Sequence, residues 1–168
     1  VNGKGVSRLR DAGIKIEVGD KSSEASEIIE AYAKFINYKI PFLTAKFAMS
    51  LDGKIATKTG ESKWISSLDS RKYVHLMRSN SDAVMVGVNT ILKDDPLLTN
   101  RYEAKNIIKQ PLRIIIDTYA RTPLNSQVLN QPGETMIIVG NAKEKPCDDL
   151  SKSGVKIVRM PSKNGKVD

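Results

Sequence analysis

Residues 41–64 read PFLTAKFAMSLDGKIATKTGESKW, an alternating, mostly apolar run that gives way to a polar loop rich in side chains suited to holding a ligand. Phe42 to Ser50 has the period-two pattern of a strand. Thr44, Lys46, Ala48 and Ser50 fall on one face, and Leu43, Ala45, Phe47 and Met49 on the other. The lysine in its middle has two readings. Buried, Lys46 needs an anionic partner or ligand, because an unpaired ammonium in apolar surroundings is costly. On an edge strand it faces water and discourages edge-to-edge pairing. This strand alone leaves both open. Asp52-Gly53 then supplies a tight-turn pair, and the loop continues through Gly60 to Trp64, the only tryptophan. Trp64 reads as a lid residue packing on the core, which is compatible with its also touching a flat ligand.

A chain of 168 residues can build one sizeable core, so a single domain is the default. The net charge of +8 would suit nucleic acid or a membrane surface, but the basic residues are scattered and aromatics make up only 5%. A phosphorylated small molecule and a dinucleotide account for it equally well. One cysteine, Cys147, excludes an internal disulfide framework, and with His75 as the only histidine a Cys/His zinc site is not expected. No apolar run has the length of a membrane span and no signal-peptide core opens the chain, which makes cytoplasmic the economical expectation.

Upstream, Val1 to Gly19 reads as the end of a helix closed by Gly13, then a short strand at Ile14 to Val18. Ser22 to Tyr38 has the stripe of one packing helix, with Ile28, Tyr32, Phe35 and Ile36 on one side. Downstream, Ser66 and Asp69 fit a capping box for a helix of about Ser67 to Arg78, with Tyr73, Leu76 and Met77 as its buried stripe. His75 sits off that stripe and reads as an exposed helix residue rather than a catalytic base, since no partner motif accompanies it. Asp82 to Val88 is apolar enough for a strand buried on both faces. It breaks at Gly87-Val88-Asn89-Thr90, where a short helix starts whose backbone N–H groups suit a phosphate. Asp94-Asp95-Pro96 follows as a turn. Tyr102 to Gln110 reads as a surface loop. Leu112 to Asp117, Thr135 to Val139 and Val155 to Val158 are further strands, with a short helix or turn at about Asp148 to Ser153.

Strands alternating with helices imply a largely parallel sheet covered on both faces, and such sheets bind ligands beyond the carboxyl ends of their strands. Three clusters fall there: Ser50 and Asp52 with the Ser62 to Trp64 loop, Gly87 to Thr90 with Asp94, and Asp117-Thr118.

Several blocks in a fixed order also resemble one family. KFAMSLDGKIATKTGESKWIS, the Arg78 to Ala83 segment, GVNTILKDDPLLTNR and QPLRIIIDT are similar to the reductase domain of the bifunctional deaminase/reductase of riboflavin biosynthesis, over roughly Val1 to Arg159. The resemblance implies a dihydrofolate-reductase-like α/β fold, three-layer α/β/α, with a largely parallel central sheet that is incomplete at the C-terminus. It makes residues 1–19 the tail of a preceding deaminase domain, whose metal-binding motifs are absent here, and residues 20–168 a reductase domain cut short. It implies NADPH-dependent reduction of 5-amino-6-(5-phosphoribosylamino)uracil to the ribitylamino product, with no metal. Matched position by position, Ala48, Trp64, Thr90, Asp94 and Thr118 become contacts to NADP(H). Ser62, Arg78, Leu98 and Arg101 become substrate contacts, and Lys46 stands near the reacting sugar carbon with Asp94 as its counter-charge.

Thr118 and Arg121 follow the Asp117 strand end, where a 2′-phosphate would favour NADPH over NADH. The expected partner is a phosphorylated pyrimidine, with neither nucleic acid nor membrane involved, and the full-length protein is expected to be a homo-oligomer. The chain stops at Asp168, ahead of the family's Glu-Gly-Gly-type loop, so weak cofactor binding and negligible turnover are expected of residues 1–168 alone. Two rivals stand beside this reading: a basic nucleotide- or RNA-binding module without catalysis, which predicts steep salt dependence, and another dihydrofolate-reductase-like enzyme acting on a pterin, which Arg78 and Arg101 argue against.

Overall fold

The apolar runs Ala83–Gly87 (β1), Leu112–Ile116 (β2), Thr135–Val139 (β3) and Lys156–Arg159 (β4) pair side by side in chain order as one parallel sheet. The computed structural model describes residues 3–102 and 109–168. Residues 103–108, most of the expected surface loop, lie outside the described residues. The chain divides into two compact units, Val1–Ala48 and Met49–Asp168.

In the first unit, helix α1 (Lys4–Asp11) ends as its sequence suggests. Gly13 takes a φ of 77°, its N–H reaches Arg10 O at 2.9 Å, and Ile14 N–H reaches Leu9 O at 3.1 Å. This pattern needs a left-handed residue, which glycine supplies without steric cost. No strand forms at 14–18. The helix expected over Ser22 to Tyr38 is two, α2 (Ser22–Ile28) and α3 (Glu30–Tyr38), because Ile29 leaves helical geometry at φ −105° and ψ 9°. Neither has a buried residue, so the Ile28, Tyr32, Phe35, Ile36 stripe is amphipathic but exposed. The strand expected at Phe42 to Ser50 is absent as well: residues 41–50 enter neither sheet. Alternation assigns side chains to faces, whereas a strand exists only where its backbone finds a partner ladder.

The second unit holds the sheet. In register, Val86, Ile115, Ile137 and Ile157 stand side by side across the four strands and face one core. That core is closed by Val88 and Ile91 of α5 (Val88–Asp94), Cys147 and Leu150 of α6 (Glu144–Lys152), Leu98, and Val128 of the 3₁₀ turn Gln127–Asn130. Burial of the Cys147 thiol raises its pKa, so it behaves as a small apolar side chain. The opposite face, carrying Met85, Ile114, Ile116, Met136 and Ile138, is only partly covered. The expectation that β1 is buried on both faces therefore fails: Met85 is 53% exposed, because β1 is an edge strand paired only with β2. A two-stranded hairpin that the sequence reading did not anticipate, β5 (Ser162–Lys163) and β6 (Lys166–Val167), follows β4.

At the start of β2, Arg113 is 1% exposed and has no carboxylate partner among the described residues. Its guanidinium instead donates four hydrogen bonds: Nε to Thr135 Oγ1 (2.9 Å), Nη1 to Pro132 O (2.6 Å), and Nη2 to Gln131 O (3.1 Å) and Gly133 O (2.8 Å). The planar fork thereby ties the turn before β3 to the strand beside it. Burial lowers the Arg113 pKa without discharging the group. Arg113→Lys cannot reproduce this fork and leaves carbonyls unpaired. It should cost about 2–4 kcal/mol of unfolding free energy, read as a lower urea midpoint with an unchanged m-value.

Candidate active site

Helix α4 (Leu68–Ser79) organises the candidate site. Its start lies one residue beyond the expected cap: Ser67 is the N-cap, with Oγ accepting from Ser70 N at 3.1 Å. The expected buried stripe also shifts. Tyr73 is exposed, and Arg71 and the run 74–79, Leu76 and Met77 among them, are the half-buried positions.

Near its N-terminal end α4 holds the loop from the opening stretch. Arg71 stacks on the Trp64 ring, 4.3 Å from its centroid, and Nη1 donates to Ser66 O at 2.7 Å. The loop itself is built from two closed turns. In the first, Ser50 N and Lys54 O pair at 2.9 Å while Gly53 takes φ 77°. In the second, Thr57 Oγ1 accepts from Glu61 N at 3.0 Å, and Gly60 takes φ 85°. Between the turns and Trp64 lies an open groove of about 520 Å³, lined by Ser50, Lys54, Thr57, Ser62 and Trp64 among others. Trp64 is 73% exposed, so it is a groove wall and not a residue packed on the core.

Toward its C-terminal end α4 grips residues 98–101. Arg78 Nη1 donates to Thr99 O at 3.1 Å, and His75 Nδ1 accepts from Arg101 N at 3.2 Å. Leu98 sits in the left-handed region at φ 53°, a conformation non-glycine residues hold only where surroundings enforce it. Leu98, Thr99 and Asn100 are all buried, while Arg101 is exposed. Burial, then the Arg101 charge, lowers the Arg78 pKa, and the guanidinium still remains protonated. Among the described residues neither arginine meets a carboxylate, so the pair is an electropositive point suited to an oxyanion.

The ends of β1 and β2 form a second cluster. Asp117 is fully buried, and its Oδ2 accepts from Thr122 N (2.7 Å) and Thr122 Oγ1 (2.8 Å), closing the 117–122 turn. Its Oδ1 has no hydrogen-bond partner and lies 4.0 Å from Arg121 Nε. Arg121 Nη2 continues to Asn89 Oδ1 at 3.2 Å, which joins the turn after β2 to the first turn of α5. Thr90 is half-buried in that turn and Asp94 is exposed at the far end of α5. Thr118 Oγ1 accepts from Val167 N of the hairpin at 3.3 Å, and its carbonyl accepts from Gly140 N at 3.1 Å. Ser162 lies so close over Gly140 that a Cβ there would clash.

The structure thus brings Arg78, Leu98 and Arg101 together, places Ser62 and Trp64 in one groove, and puts Thr90 and Thr118 on adjacent strand ends. Lys46 and Ala48 belong to the first unit, and Lys46 is exposed there. His75 is corrected from an exposed residue to a half-buried acceptor. Its partner is a backbone N–H 26 residues away, which no local spacing reveals. The Arg71–Trp64 stack and the turn that Asp117 closes with Thr122 were missed although their partners are close in sequence, because ring stacking and carboxylate burial leave no residue pattern of their own.

Arg71→Ala should leave Trp64 more open to acrylamide quenching while costing no more than about 1 kcal/mol of stability. Because Trp64 is the sole tryptophan, its emission reads the loop directly, and unchanged quenching would mean that the stack does not order it.

A family described as the RibD C-terminal domain matches residues 41–164. The riboflavin biosynthesis protein RibD of Aquifex aeolicus is 42% identical over 166 residues, covering 99% of this chain and 46% of that protein. Its counterpart in Synechocystis is 40% identical over 149 residues, 88% of this chain and 39% of the relative. The chain therefore spans about half the length of the curated relatives it matches. Among solved structures, Acinetobacter baumannii RibD superposes with a TM-score of 0.76 at 33% identity over 96% of this chain and 45% of that one. A Thermotoga maritima diaminohydroxyphosphoribosylaminopyrimidine deaminase/5-amino-6-(5-phosphoribosylamino)uracil reductase gives 0.71 at 28%, over 94% of this chain and 49% of that one. An α/β fold with a parallel sheet, a half-length match to RibD proteins and matching motif blocks all agree: this chain belongs to the RibD C-terminal domain family.

Proposed function

We propose that this chain carries the reductase chemistry of riboflavin biosynthesis, the NADPH-dependent reduction of 5-amino-6-(5-phosphoribosylamino)uracil to its ribitylamino product. The observation that carries this reading is the hold of Arg78 on the buried 98–100 segment that leads into the exposed Arg101, in a chain of this family. Arg101 lies near enough for its charge to lower the Arg78 pKa, and among the described residues neither guanidinium meets a carboxylate, so the two favour a phosphate that offsets their mutual repulsion. Ser62 and Leu98 complete the substrate contacts. The bound nicotinamide supplies hydride to C1′ of the ring-opened sugar, and a proton balances the step at the nitrogen.

The chain's own residues bind and orient. Ala48, Trp64, Thr90 and Thr118 line the cofactor, with Asp94 alongside. Lys46 stabilises negative charge or polarises the opening ribose oxygen. The donor set fits a dinucleotide phosphate: Arg121, 49% exposed, is held by Asn89 and the buried Asp117 at the strand ends, with the rest of its guanidinium open to solvent. A cation so placed selects the 2′-phosphate of NADPH.

Quenching of Trp64 should show NADPH binding roughly ten-fold or more tighter than NADH, with Arg121→Gln narrowing the gap. Equal affinities would overturn the cofactor choice. In reductase assays of the full-length protein, Lys46→Met should lower kcat by roughly 10²-fold, and an unchanged kcat would leave Lys46 as an exposed side chain with no part in the reaction.

A further inference from the structure

We propose that His75 is a positioning residue of the substrate-anion site: its unprotonated Nδ1 fixes the backbone at Arg101 and so holds the Arg101 guanidinium beside Arg78. The inference rests on the reading that these two arginines receive the substrate's phosphate.

Residues three apart on a helix share a face, so His75 and Arg78 both address the 98–101 segment. That segment is held group by group. Thr99 O takes Arg78 Nη1, Asn100 N and O pair with Gln110 Oε1 (2.9 Å) and Nε2 (3.0 Å), and Arg101 N meets His75 Nδ1 at 3.2 Å. Only the last of these anchors Arg101 itself. Without it, the strained left-handed Leu98 and the buried Asn100 still end in an exposed arginine free to turn away.

The chemistry of imidazole suits the task. A neutral ring that accepts at Nδ1 must carry its proton on Nε2. Burial lowers the His75 pKa, and the charges of Arg78 and Arg101 lower it further. The acceptor form therefore persists through neutral pH. The bond is lost only as pH falls below the ordinary imidazole value of about 6.5, when Nδ1 becomes a donor facing a donor.

Calorimetry with ribose 5-phosphate at pH 8 tests this. His75→Ala should weaken binding roughly ten-fold with little change in melting temperature. His75→Asn, whose amide oxygen can stand where Nδ1 stood, should restore affinity to within about three-fold. Wild-type affinity in His75→Ala, or an Asn variant as weak as the Ala variant, overturns the inference. As His75 is the only histidine, ¹⁵N spectra of the unmutated chain read its tautomer even where the Ala variant fails to fold. A proton on Nδ1 at pH 8 overturns the inference too. Absence of ribose 5-phosphate binding by the wild-type chain overturns the phosphate reading and the role of His75 with it. Binding that is lost in Arg78→Met but unaffected in His75→Ala overturns only the latter.

Discussion

Parallel strands cannot be closed by a tight turn, so every step from β1 to β4 must leave the sheet and return, and every strand delivers its following loop to the same edge. The placement of the strand-end cluster follows from this one constraint. Gly87 ends β1 opposite Ile116 of β2, and the turns that follow are close enough for Arg121 to reach Asn89. The core under the sheet depends on the same pairing, since in-register parallel strands align Val86, Ile115, Ile137 and Ile157 into one continuous apolar row.

Two buried polar residues bracket β2, and each ties a neighbouring turn to the sheet. Arg113 at the start spends its donors on carbonyls, and Asp117 beyond the end spends one oxygen on Thr122. A buried charge is tolerable only when its hydrogen-bonding capacity is met. Asp117 meets that condition on one oxygen alone, and the other is left to the charge of Arg121. The turn carrying Thr118 therefore follows from the demands of a carboxylate the core has enclosed. The hairpin that donates Val167 N to Thr118 adds a second restraint.

Helix α4 works as a clamp with two grips. One end orders the glycine-punctuated loop by stacking a guanidinium on Trp64, and the other ties down 98–101 through His75 and Arg78. α4 itself contributes no fully buried side chain to either grip. The helix is held to these segments by polar and cation–π contacts, which explains why its apolar pattern, right for the half-buried Leu76 and Met77, misplaced Tyr73 inside and His75 outside.

Periodicity by itself determined β1 to β4 almost to the residue, the cap glycine after α1, the short helix after β1 and the turn at Gly53, because short-range sterics and burial patterns act within a few residues. Motif order determined the family. Whether an alternating run becomes a strand was decided elsewhere: residues 42–50 alternate as well as β3 does, yet a ladder needs a second backbone that alternation cannot name. The split of the Ser22 to Tyr38 helix at Ile29 likewise has no marker in composition. Only the tertiary structure decided that His75 accepts from Arg101, since the two are 26 residues apart, and that Arg71 covers Trp64 and Asp117 is enclosed, since packing and burial rather than residue type fix both.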